Sequence, residues 1–145
     1  MRQLLNTNRV HPKKSLGQNF ITDNNFLLKM NDYIESSKRN IIIEIGPGKG
    51  ALTEYLSKKN FKKLFLIEKD NNLATQLKLK YEKVKNIFII NDDALTIDYS
   101  NFKSKEEKVI IYGNLPFNIS TNLLTKWISD KEWPSFFNKM VLMFQ

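Results

Sequence analysis

At 145 residues, 41% of them hydrophobic, the chain has the length and apolar content for one domain with its own core. It contains no cysteine and a single histidine, His11, so a disulfide framework and a thiolate metal site are excluded and no metal centre is expected. The formal net charge of +8 favours an anionic partner, nucleic acid first, although the lysine and asparagine bias of an AT-rich genome accounts for the same charge. The apolar runs are too short to cross a bilayer, and the N-terminus has no apolar stretch of signal-peptide length. A cytoplasmic protein, monomeric and without a membrane partner, is the expectation.

Taken in order, Met1 to Lys14 is polar and basic, with His11-Pro12 interrupting any helix. Residues 1–14 read as an arm whose Lys13 and Lys14 either touch phosphate or are simply solvated. Ser15 to Ile21 reads as an ordered loop. Asp23 is a candidate N-cap, and Phe26, Leu27, Met30 and Ile34 form a helical stripe. Ile41 to Ile45 is a buried strand, followed by the turn Gly46-Pro47-Gly48-Lys49-Gly50 and a helix to about Lys58. Leu64 to Ile67 is a second strand ending in Glu68, and Leu73, Leu77 and Tyr81 mark the next helix. Ile87 to Ile90 is a third strand ending in Asn91-Asp92-Asp93-Ala94. Thr96 to Lys108 is polar and reads as a surface connection. Val109 to Tyr112 is a fourth strand that runs into Gly113-Asn114-Leu115-Pro116-Phe117. A helix from about Ser120 carries Leu123, Leu124, Trp127 and Ile128, and Met140 to Phe144 starts a fifth strand. Strands alternating with helices predict an α/β fold with a mostly parallel sheet and right-handed crossovers. A strand ending at Gln145 would leave a hydrophobic edge, so the sequence is expected to be a fragment of a longer protein, truncated after its fifth strand.

The glycine turn points to a nucleotide-type ligand, because glycine lets a ligand lie against the backbone where a strand feeds a helix. It is not a Walker A loop, since Lys49 is followed by Gly50-Ala51 and not by serine or threonine. Nor is it the full dinucleotide fingerprint, since its third glycine comes too early. Glu68, Asp93 and Asn114 then end successive strands, where a ribose and a base would be held. Each alone could be a helix cap or turn former; together they line one crevice. Glu44, just before the turn, would face a cationic ligand end, which suits a sulfonium better than a pyrophosphate. S-adenosylmethionine is therefore the expected cofactor. At the fourth strand end, the Asn114 amide oxygen and the Leu115 carbonyl could accept hydrogen bonds from an exocyclic amine. Pro116 would stiffen that turn, and Phe117 could stack on an extruded base.

Leu16-Gly17-Gln18-Asn19-Phe20, Glu44-Ile45-Gly46-Pro47-Gly48-Lys49-Gly50, Asp93-Ala94-Leu95 and Asn114-Leu115-Pro116-Phe117 resemble the motif set of the ribosomal RNA adenine dimethyltransferases (the KsgA/RsmA family, with the Erm methylases as close relatives). The resemblance runs from Lys13 to Gln145; Phe117 stands where the housekeeping branch usually has tyrosine. It implies a Rossmann-like methyltransferase domain over 15–145 that transfers methyl groups from S-adenosylmethionine to the 6-amino groups of two adjacent adenines. These lie in a hairpin near the 3′ end of small-subunit ribosomal RNA, a step of ribosome biogenesis. By the same resemblance Asn19 and Ile21 would close over the cofactor, Gly46 would approach its methionine part, Glu68 would bind its ribose and Asp93 its adenine. Glu44, Gly48, Ala94 and Asn114 join these as cofactor contacts, while Asn114, Leu115, Pro116 and Phe117 would form the catalytic target pocket. The family also has two further strands and a helical domain that this chain lacks, so weakened RNA binding and reduced turnover are expected. Two rivals stay open: an Erm-type enzyme acting on large-subunit RNA, and a largely non-catalytic RNA-binding checkpoint on the immature small subunit.

Overall fold

The computed structural model describes residues 24–102, 104–115, 117–129 and 135–144. The basic arm, the 15–21 loop with Asn19 and Ile21, the Asp23 cap and Pro116 lie outside them.

The first strand, β1 (Asn40–Ile45), is a run of isoleucines broken by one carboxylate. Such β-branched side chains suit a pleated strand covered on both faces. It pairs in parallel with β2 (Lys63–Ile67) on one side and β4 (Lys108–Leu115) on the other. β3 (Ile87–Ile90) extends the sheet beyond β2, and β5 (Lys139–Phe144) extends it beyond β4. The order is β3-β2-β1-β4-β5 and every pairing is parallel.

Alternation along the strands divides the core. Ile42, Leu64, Leu66, Ile110 and Tyr112 point to one face, where they meet Leu27 and Met30 of α1 (Asn24–Asp32). Leu52 and Leu56 of α2 (Ala51–Leu56) and Leu77 and Tyr81 of α3 (Asn71–Tyr81) complete that layer. Ile43, Ile45, Ile67, Val109 and Ile111 point to the other face, under Leu123 and Trp127 of α4 (Phe117–Ile128) and under Phe136 and Phe137. The parallel α/β architecture is thus as the sequence predicts, with helices on both sides.

Three details differ from expectation. β4 runs on to Leu115 because Gly113 and Asn114 pair with Leu142 and Met143 of β5 instead of turning. α4 begins at Phe117, three residues before the predicted start, so its first turn takes in Phe117 and Ile119 ahead of the apolar stripe at Leu123, Leu124, Trp127 and Ile128. The connection after β3 is not wholly superficial: a 3-10 turn, Tyr99–Phe102, buries Tyr99. Its ring stacks on Phe136 at 4.9 Å and meets the edge of Trp127 at 5.6 Å, while its hydroxyl donates to the Ala94 carbonyl at 2.9 Å.

Candidate functional site

The chain leaves β1 toward β2 on one side and later returns to β4 on the other. The strand order therefore reverses between β1 and β4, and in an open parallel sheet the crevice at such a point lies beyond the carboxyl ends of the strands. The loops after β1, β2 and β3 and the end of β4 all meet there.

The turn after β1 holds three glycines in the left-handed region, with φ of 62° at Gly46, 59° at Gly48 and 81° at Gly50. Side-chain-bearing residues rarely adopt this conformation, which accounts for the alternating glycines. Gly46 is exposed and Gly48 half-buried, so the turn presents bare backbone. Its amide groups are anchored: Gly46 N–H donates to the Ile67 carbonyl at 2.9 Å, and Gly50 N–H to the Pro47 carbonyl at 2.8 Å.

Glu68 braces this turn from the end of β2. One carboxylate oxygen accepts from Gly48 N–H at 3.0 Å and the other from Asp70 N–H at 2.9 Å. Asp70 in turn caps α3, accepting from Asn72 N–H at 2.9 Å and Leu73 N–H at 3.2 Å. Each carboxylate oxygen has a second lone pair, so Glu68 retains acceptor capacity for a ligand hydroxyl. Burial holds its carboxyl above the ordinary range, against the opposing pull of the two backbone N–H groups.

Asp93, after β3, accepts from Lys69 Nζ at 2.7 Å and from Leu95 N–H at 2.9 Å. The lysine hydrogen bond is the main reason its carboxyl sits below the usual range. Asn91 ties this loop to the preceding one by donating to the Glu68 carbonyl at 2.9 Å. Ala94 is buried.

Glu44 does not lie where the sequence suggests. It is 0% exposed, and one carboxyl oxygen accepts from Thr53 Oγ1 at 2.7 Å on α2. The other oxygen has no hydrogen-bond partner among the described residues. Burial pushes the carboxyl up to about 8, the Thr53 hydrogen bond opposing and the Glu68 charge adding to the rise. The group is therefore covered and largely protonated near neutral pH, not a carboxylate on the open side of the crevice. The penultimate position of a doubly paired strand encloses it.

Gly113 is a positioning residue that sequence reasoning passed over. A Cβ there would stand 2.6 Å from the Ile45 carbonyl oxygen, so β4 approaches the end of β1 more closely than any side chain allows. The register that sets Glu44 opposite Tyr112 brings Asn114 level with Gly46. Asn114 is half-buried at this reversal point; Leu115 is fully buried, leaving only its backbone to act on a ligand. Phe117 is 69% exposed in the first turn of α4, a ring face open to solvent. Lys126, further along α4, donates to the carbonyls of Leu95 and Ile97 at 2.8 and 2.9 Å and so holds the loop that carries Asp93. No pattern in the sequence marks that contact.

Gly46, Gly48, Glu68, Asp93, Ala94, Asn114, Leu115 and Phe117 thus share one edge of the sheet, with Glu44 buried below. Among the described residues no group of three or more His, Cys, Asp or Glu side chains could hold a metal ion. No described helix is long and apolar enough to cross a membrane.

The chain is similar to known proteins over most of its length. The family model for ribosomal RNA adenine dimethylase matches residues 9–145. A ribosomal RNA small subunit methyltransferase A of Pelagibacter ubique is 45% identical over 136 residues, covering 94% of this chain and 50% of that protein. A dimethyladenosine transferase structure from Plasmodium falciparum superposes with a TM-score of 0.67 at 28% identity, covering 85% of this chain and 42% of the other. The 23S rRNA methyltransferase ErmE gives a TM-score of 0.62 at 28% identity over 75% of this chain and 42% of its own. The chain spans about half the length of the curated relatives it matches.

Proposed function

Because the chain belongs to the ribosomal RNA adenine dimethylase family, we propose that it is the cofactor-binding and catalytic portion of an S-adenosylmethionine-dependent adenine N6-dimethyltransferase. Its substrate in this reading is a pair of adjacent adenines near the 3′ end of small-subunit ribosomal RNA, on the immature small subunit. It acts in the cytoplasm as a monomer.

The observation that carries the reading is the convergence of a bare glycine turn, Glu68, Asp93 and Asn114 on one strand-order reversal. Gly46 and Gly48 let the ligand lie close against the main chain of the turn. Glu68 has acceptor capacity for a ribose, and Asp93 stands one strand further out for an adenine amine. When bound, S-adenosylmethionine supplies an electrophilic methyl group. The Asn114 amide oxygen and the Leu115 carbonyl accept the two N–H bonds of the target amine and leave its lone pair localised. Phe117 stacks on the extruded base, worth about 1–3 kcal/mol. Glu44, buried beneath the glycine turn, supports the site by holding α2 through Thr53. Asn19, Ile21 and Pro116 complete the cofactor lid and the target turn by family resemblance.

Calorimetry of the purified chain with S-adenosylmethionine tests the cofactor. Incubation with isolated small and large ribosomal subunits, followed by mass mapping of methylated adenines, tests the substrate. Absence of cofactor binding would sink the reading. Methylation confined to the large subunit would instead favour the activity named for the ErmE neighbour.

A further inference from the structure

The edge of the sheet opposite the crevice carries a different charge pattern. Arg39, Lys63, Lys85, Lys108 and Lys139 stand at or just before the starts of β1, β2, β3, β4 and β5. Carboxylates stand at the strand exits, with Glu68, Asp70 and Asp93, and at the entry to β4, where Glu106 and Glu107 precede Lys108; cations still outnumber them along the strand starts. At an interstrand spacing of about 4.8 Å, five strand starts make a cationic row about 19 Å long.

Two of them, and Lys59 beside them, are held by backbone carbonyls. Arg39 donates to the Glu106 carbonyl at 2.8 Å, Lys59 to the Ile34 carbonyl at 2.6 Å, and Lys139 to the Tyr33 carbonyl at 2.6 Å. A carbonyl fixes an ammonium or guanidinium in place but leaves its full charge. Of the edge cations described here, Lys62 meets a carboxylate, Glu107. Between the starts of β1, β2 and β3 the row opens into a cavity of about 370 Å³. Lys38, Lys59, Lys62, Asn60 and Asn86 line it, with no carboxylate among the lining residues. Its one ring, Phe61, is 6% exposed and offers no face for a base.

We propose that this edge is a second RNA contact, which grips backbone phosphates without reading sequence. A phosphodiester strand lies along the strand starts, and one phosphate enters the cavity between Lys38 and Lys59, beside the Lys62–Glu107 ion pair. The choice of RNA rests on the function proposed above. β1 has six residues, and at about 3.3 Å each the two edges stand about 20 Å apart. An RNA that fills the crevice therefore reaches this edge only by wrapping round the domain or through a neighbouring helix of a folded RNA. The contact selects for a large structured RNA over an isolated hairpin.

The test is the salt dependence of binding to purified small-subunit ribosomal RNA, with the whole chain and with Lys38→Gln plus Lys59→Gln. Lys29→Gln plus Lys78→Gln, on the outer faces of α1 and α3, removes equal charge elsewhere. Thermal melts confirm that all variants are folded. The edge pair should bind roughly tenfold more weakly at about 0.1 M salt, with the slope of log K against log salt flatter by about 0.7 per lysine. Lys38→Arg plus Lys59→Arg should bind like the parent, and S-adenosylmethionine affinity should be unchanged. An unaltered slope, or an equal loss in the control pair, would overturn the inference while leaving the proposed function standing. Selective binding of poly-glutamate over RNA by these lysines would also overturn it. A parent chain that binds no RNA would remove both.

Discussion

Replacing Glu44 by glutamine separates its burial from its charge. The wild-type carboxyl is raised from 4.5 to about 8, chiefly by burial. A carboxyl with a raised folded pKa binds its proton more tightly in the native state than in the unfolded chain. The native state is therefore favoured below the unfolded pKa, and that advantage is lost as pH rises toward the folded value. Each pKa unit is worth about 1.4 kcal/mol, so wild-type stability should fall by about 5 kcal/mol between pH 4.5 and a little above pH 8 on account of this one group. That is a large share of the roughly 5–15 kcal/mol that holds a domain together. Glutamine keeps an oxygen for the Thr53 hydroxyl and cannot ionise. Urea melts of Glu44→Gln and wild type should agree near pH 5 and diverge steadily, with the variant the more stable by pH 8. Other carboxyls titrate in both proteins and cancel in the difference. Parallel profiles across this range would refute the enclosure of Glu44 as the cause of its raised pKa.

Phe117→Ala should leave stability within about 0.5 kcal/mol, since the ring is exposed, yet slow methyl transfer by about 5- to 150-fold through lost stacking; Phe117→Tyr should restore it. Glu68→Ala strips the acceptors from Gly48 and Asp70 N–H, which should cost about 1–3 kcal/mol in urea melts and abolish S-adenosylmethionine binding in calorimetry. Gly113→Ala drives a methyl group to within 2.6 Å of the Ile45 carbonyl and should destabilise by about 1–3 kcal/mol, with activity falling further as Asn114 is displaced. An unchanged melting temperature in that variant would mean that β1 and β4 part without cost.

The sheet was legible because isoleucine-rich runs and helical stripes alternate without ambiguity, and β3 was read to its exact bounds, Ile87–Ile90. The crevice was legible because parallel strands bring their carboxyl ends to one edge, so Glu68, Asp93 and Asn114 needed only correct strand ends to fall together. What escaped were effects of depth and cross-chain contact. Glu44 follows the rule for a residue before a ligand-binding turn, but pairing on both sides of β1 seals it in. Tyr99 sits in a polar stretch with no period, and only Trp127 and Phe136, far along the chain, explain why it is buried. The membership of Gly113 and Asn114 in β4 depends on β5, whose pairing a local reading does not see.

Helix α4 starts with the exposed Phe117 ring, the one proposed to stack on the target base, and, near its other end, grips the Leu95 and Ile97 carbonyls that position the Asp93 loop. The two halves of the crevice therefore share one rigid strut. Energy spent on moving that strut from either side is felt on the other, and thermodynamic linkage makes the exchange symmetric: whatever factor nucleic acid contributes to cofactor affinity through α4, the cofactor returns to nucleic acid. Lys126 is the point at which that reciprocity can be cut without touching either ligand's own contacts.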